Sequence, residues 1–154
     1  MSGRFWSRVQ TSALDPAALE QALAAASPEA GAAVTFIGRV RGQDGGREVA
    51  GLELEHYPGM TEASLAALID RVRERWTLAA AAVVHRVGFV AAGECIVWVG
   101  VSAAHRADAF AACECLMDYL KTEAPFWKKE HGPGAARWVE ARRADEQRAA
   151  RWRR

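Results

Sequence analysis

Pro125 stands at the end of a helical apolar pattern running over about residues 105–122, and it forces the chain to change course there. Proline lacks a backbone N–H, its ring clashes with the preceding turn, and it biases Ala124 towards extended geometry. A helix burying Phe110, Cys113, Met117 and Leu120 is therefore expected to stop short of Pro125, with a strand over 126–130 beyond it. Lys121 falls in the last turn of that helix, and Lys128 and Lys129 follow the break. The turn can bring these cations together, flanked by Tyr119, Phe126 and Trp127. Such a cluster suits an anionic, flat, partly aromatic substrate. Crowding and desolvation lower a lysine's pKa towards the range useful for proton transfer or nucleophilic attack. The same residues, taken alone, equally describe a solvated helix end whose dipole favours Lys121.

The rest of the chain supplies the frame for that break. Asp15 and Pro16 open a first helix as N-cap and N1, with Leu14 placed to staple against Leu19. Residues 33–41 read as a strand, 42–46 as a glycine-rich loop, and 52–55 as an alternating strand. Thr61 is expected to cap a second helix, with Leu65, Leu68, Ile69, Val72 and Trp76 on its buried face. Strands follow over 82–90 and 94–102, the second apolar on both faces and so central. Two short strands, 126–130 and 137–141, flank a turn at 131–134, and an Arg-rich tail follows that is helical or frayed. Hairpins mixed with helices, without strict βαβ alternation, predict an α+β fold, and 154 residues predict one domain spanning 1–154.

Charge and cysteine usage narrow the function. The formal net charge is only +1, which argues against a general nucleic-acid coat, yet half of the 20 Lys and Arg residues lie from Lys121 onward, against five acids. The positive charge is local, as a small-anion site requires. No apolar run is long enough to cross a membrane and the first residues lack the apolar core of a secretion signal, so a cytoplasmic protein without membrane partners is expected. Cys95, Cys113 and Cys115 are odd in number, and with the scattered histidines they form no metal motif. Buried small side chains in a reducing compartment are the better reading, with no metal and no cofactor expected.

Further cations flank the lysines. His105 and Arg106 open the third helix, where unpaired N–H groups and the dipole favour an anion, or are ordinary exposed polar residues. Arg39 and Arg41 form a cationic shelf on one strand face or merely solvate it, and Arg142 sits in the Arg-rich tail, where solvation is the usual explanation. His105 and Lys121 are 16 positions apart on one helix, or about 24 Å. Either the two ends are separate sites, or a symmetric dimer brings His105 and Arg106 of one subunit to the lysines of the other; the shared site is preferred.

Five segments carry a family resemblance: 36–41 (Phe-Ile-Gly-Arg-Val-Arg), 54–60 (Leu-Glu-His-Tyr-Pro-Gly-Met), 99–106 (Val-Gly-Val-Ser-Ala-Ala-His-Arg), 117–122 (Met-Asp-Tyr-Leu-Lys-Thr) and 124–130 (Ala-Pro-Phe-Trp-Lys-Lys-Glu). With 137–142 (Arg-Trp-Val-Glu-Ala-Arg), and over about 31–152 in order and spacing, the chain resembles the molybdopterin synthase catalytic (large) subunit. The resemblance implies an α/β-hammerhead type of fold with added strands and helices. It also implies conversion of cyclic pyranopterin monophosphate (precursor Z) to molybdopterin by transfer of two sulfurs. These arrive as a thiocarboxylate on the C-terminal Gly-Gly tail of a small ubiquitin-like subunit, within a heterotetramer built on a central large-subunit homodimer.

Carried over by position, Lys121 matches the family's essential lysine, acting as acid/base or covalently, and Lys128 the second important one, orienting substrate or tail and stabilising oxyanions. Arg39, Arg41, His105, Arg106, Lys129, Glu130 and Arg142 are the remaining substrate-binding candidates, and Phe36 and Met117 mark the pocket for the partner's tail. The conformation of the 43–47 loop stays open. Competing readings are a non-catalytic anion- or RNA-binding module stacking bases on Trp127 and Trp138, and a Schiff-base lysine enzyme acting alone.

Overall fold

Asp15 begins the first helix as its sequence requires: its carboxylate accepts the Ala18 N–H at 3.2 Å, and Pro16 occupies the first turn. The computed structural model describes residues 3–139 and 142–153. In chain order these form β1 (Phe5–Gln10), α1 (Pro16–Ala26), β2 (Ala32–Arg39), β3 (Gln43–Asp44), β4 (Arg47–Glu48), β5 (Gly51–His56), α2 (Met60–Arg75), β6 (Ala80–Arg86), β7 (Gly88–Ala91), β8 (Cys95–Ala103), α3 (Arg106–Glu123), β9 (Phe126–Gly132), β10 (Ala135–Trp138) and α4 (Arg143–Ala150). A short 3-10 turn, Arg151–Arg153, follows. The α+β class is borne out. None of the described helices is long and apolar enough to cross a membrane.

One four-stranded sheet has the order β1-β6-β8-β2, in which β1 runs parallel to β6 and the other pairs are antiparallel. β8 is interior and buried along nearly its whole length, as its two apolar faces require. Val97, Val99 and Val101 face the larger core under α2 and α3, while Trp98 turns to the smaller core under α1, against Trp6, Leu19 and Leu23. Each such side chain contributes about 1.5–3 kcal/mol of burial. Gly100 is required there, since a Cβ would lie 2.4 Å from the Trp98 ring.

The second sheet, β10-β9-β5-β7, is antiparallel throughout. It is joined to the first by a break in what the sequence predicts as one strand over 82–90. Gly88, at φ 82°, lets the chain leave the first sheet after Arg86 and enter the second as β7.

Two further expectations are corrected, one strand is added, and one expected strand end reaches outside the described residues. β1 escaped the sequence reading, because its exposure alternates weakly and its partner β6 lies far along the chain. Thr61 is not the N-cap of α2: the cap is Gly59, whose N–H donates to Glu62, while the buried Thr61 hydroxyl accepts the Tyr57 N–H. Phe110 is exposed rather than buried, whereas Cys113, Met117 and Leu120 do pack inward. The last strand ends at Trp138, and the expected extension to residue 141 reaches outside the described residues.

Candidate active site

The helix-to-strand break sets two lysines over one pocket. α3 ends at Glu123, Ala124 is extended, and the Phe126 N–H donates back to the Ala124 carbonyl at 2.9 Å before β9 begins. Strand periodicity then puts Phe126, Lys128 and Glu130 on one face and Trp127, Lys129 and His131 on the other. Lys121 from the last turn of α3 meets the first group in a pocket of about 330 Å³. Arg39 and Arg41 reach it from the end of β2, Asp44 from β3, and Arg142 and Asp145 from the start of α4.

Three ion pairs define the rim. Arg142 donates to Asp44 at 3.3 Å, and the buried Glu130 carboxylate faces Arg47 at 3.4 Å and Arg137 at 3.5 Å. The 43–47 loop is therefore a formed hairpin strapped to the pocket at Asp44 and Arg47. Its turn residues Gly45 and Gly46 have φ of 60° and 80°, the left-handed geometry that a two-residue hairpin turn demands. Away from the pocket, on the outer face of β9, His131 Nε2 lies 2.9 Å from the Glu53 carboxylate.

Lys128 is half-buried, and this burial, then the neighbouring Lys121 ammonium, push its pKa down to about 8. Below pH 8 the charge is retained in both folded and unfolded states, so its desolvation cost is fully present at neutral pH; the cost fades between about 8 and the ordinary lysine value. Lys128→Met is accordingly expected to raise unfolding free energy at pH 7 by about 1–3 kcal/mol, while removing the ammonium from the pocket. Urea melts at pH 7 and pH 10 check this: the gain should shrink at the higher pH, and a destabilised variant contradicts it.

Behind the lysines lies His85 of β6. Its ring stacks on Phe126 at 3.9 Å between centroids, and its Nδ1 lies 2.8 Å from the Arg86 carbonyl, which can only accept, so Nδ1 carries the proton. Burial, reinforced by Lys128, Lys121 and His56, drives its pKa down to about 3. In the unfolded chain the same imidazole takes up a proton near its ordinary 6.5, so stability is fully present above that pH and drains away as pH falls towards 3. We expect a loss of a few kcal/mol between pH 6.5 and 4, and a shallower loss in His85→Phe, measured by denaturant titration at each pH. Equal slopes would rule out His85 as the source.

Not every candidate residue converges here. Lys129 is on the far face of β9, its Nζ 5.5 Å from the Trp138 ring centre. His105 and Arg106 are exposed at the opposite end of α3. Phe36 and Met117 line a separate, largely apolar groove of about 570 Å³ between β2 and α3, with Phe110 and Trp152. Two charged pocket residues were missed in the sequence, Asp44 and Asp145. Only the spacing of Asp145 to Arg142, three apart at a helix start, hinted at a shared face. Cys113 and Cys115 are buried, with thiols that burial pushes up to about 12 and about 11, so neither offers a thiolate.

Fold and site together define an α+β protein with a strapped, predominantly cationic pocket centred on two lysines. The MoaE protein family matches residues 9–123. A molybdopterin synthase catalytic subunit of Vibrio cholerae is 57% identical over 132 residues, 86% of this chain and 87% of the relative. Among solved structures, a molybdopterin biosynthesis MoaE protein from Burkholderia ambifaria superposes with a TM-score of 0.82 at 49% identity, covering 96% of this chain and 97% of the other. A molybdopterin synthase structure from Staphylococcus aureus gives 0.78 at 29% identity over 86% of this chain and 95% of the other. The chain belongs to the MoaE family.

Proposed function

We propose that this chain is the catalytic subunit of a molybdopterin synthase, a sulfurtransferase that converts cyclic pyranopterin monophosphate to molybdopterin. Two sulfurs come from the thiocarboxylated C-terminus of a small ubiquitin-like subunit, and each transfer leaves sulfur on the substrate and a carboxylate on the carrier after hydrolysis. The observation that carries the reading is the meeting of Lys121 and Lys128 in one cationic pocket. Arg39 and Arg41 would hold the substrate's phosphate, Lys128 would stabilise developing oxyanions, and Lys121 would act at the reacting carbons as acid–base or nucleophile.

The groove lined by Phe36 and Met117 supports a route for the carrier's tail. Met117 and Lys121 lie one turn apart on α3, so an extended Gly-Gly segment lying in the groove would present its end to the lysines. His105 and Arg106, too far along α3 to serve their own subunit's pocket, support a homodimer within a heterotetramer in which they complete the neighbour's site.

The test is reconstitution. The purified chain, a thiocarboxylated small subunit and cyclic pyranopterin monophosphate should yield molybdopterin, and a small subunit lacking its terminal Gly-Gly should yield none. Absence of product with a carrier proven competent would reject the assignment, and turnover with the truncated carrier would reject the tail as sulfur source.

A further inference from the structure

A pocket built for anions contains three carboxylates, and two of them have cationic partners: Asp44 is held by Arg142, and Glu130 by Arg47 and Arg137. Asp145 has no ion pair among the described residues, although it lines the same wall. An unpaired negative charge there weakens the hold on an anionic substrate, so its presence calls for a role other than binding. Lys128 supplies one. Around it stand the Lys121 ammonium from α3, Arg142 from α4, Arg39 and Arg41 from the end of β2, and the neutral His85 ring from β6. Burial and this positive surround both favour loss of the Lys128 proton. Asp44 and Glu130 are already engaged by arginines, leaving Asp145 to oppose it.

We propose that Asp145, on the first turn of α4, is the counter-charge that keeps the Lys128 ammonium protonated in the pocket, a positioning residue acting on the reaction through Lys128. This rests on the sulfur-transfer reading only for its consequence in turnover; the protonation itself is measurable without catalysis. The local energetics agree, since Asp145 draws the Lys128 pKa upward against burial and Lys121. A carboxylate in the first turn also favours the α4 dipole, and that plainer role is shared by Glu146, which is exposed and does not line the pocket.

The chain has three lysines, so competitive amine acylation across a pH series, read by peptide mass spectrometry, resolves Lys128 from Lys121 and Lys129. In the wild type, Lys128 should become reactive with a midpoint of about 8. Asp145→Asn should move that midpoint towards acid by about half a pH unit or more, Asp145→Glu should restore it, and Glu146→Gln should leave it unmoved. If α4 merely came loose, water would reach Lys128 and the midpoint would move the opposite way. An unchanged or raised midpoint in Asp145→Asn, or an equal acid shift in Glu146→Gln, overturns the proposal; Asp145→Ser gives the same reading if the Asn variant does not fold. Where the reconstituted enzyme turns over, the alkaline limb of kcat should follow the Lys128 midpoint. A wild type that shows the acylation pattern but no sulfur transfer would reject the function and leave the role of Asp145 as counter-charge standing.

Discussion

Lys121→Ala should lower molybdopterin formation by roughly 10²–10⁴-fold while the protein remains folded. Lys121 is exposed at the end of α3 and has no ion pair among the described residues, so truncation removes little packing. What it forfeits for stability is the favourable meeting of a cation with the helix C-terminus, about 0.3–1 kcal/mol. The loss in rate should therefore far exceed any loss in melting temperature. Single-turnover assays beside circular dichroism measure both, and near-normal turnover by a folded variant would remove Lys121 from the chemistry.

The second large effect concerns the far end of the same helix. Arg106→Ala should also be weak alone, yet a mixture of Lys121→Ala and Arg106→Ala chains should regain activity after subunit exchange. If each pocket takes its lysines from one subunit and His105 and Arg106 from the other, every mixed dimer has one intact site and one doubly damaged site. Random exchange of equal amounts makes half the dimers mixed, so activity should climb to about a quarter of the wild-type value. If each subunit used only its own residues, both sites of the mixed dimer would stay singly damaged. Proven exchange without recovery would then exclude the shared site.

What the sequence disclosed and what it hid divide along the range of the interactions. Asp15 with Pro16, the doubly apolar run of β8 and the break at Pro125 are local signals, and each lies where its chemistry predicts. β1 depends on pairing with a strand far along the chain, and as an edge strand it needs no apolar alternation to hold it. Gly88 looks like an interruption in one apolar strand, because nothing local announces that the chain changes sheets there.

The site shows the same division. The approach of Lys121 to Lys128 follows from one turn and was legible, as was the presence of Arg39, Arg41 and Arg142 as candidates. Their gathering on one wall depends on the β3–β4 hairpin and on α4 returning to the pocket. α4 is pinned by contacts that no short motif encodes: Trp152 Nε1 donates to the buried Asp118 carboxylate at 2.7 Å, and Arg151 donates to it at 3.1 Å. Asp145 and Asp44 look like a helix-start acid and a loop acid until that return is seen. The facing of Lys129 was available from period-two alternation, which separates it from Lys128 as neighbours on a strand must be separated.

If the carrier's C-terminus reaches Lys121 and Lys128, a zero-length cross-link should capture it there. Carbodiimide activation of the small subunit's terminal carboxylate within the assembled complex should give an isopeptide bond to Lys121 or Lys128, located by peptide mass spectrometry. Lys129, on the opposite face of β9, serves as the internal control. Linkage is expected at the two pocket lysines, and it should be lost when the terminal Gly-Gly is removed. Linkage at Lys129 alone, or equal linkage with a carrier lacking its tail, would contradict that expectation.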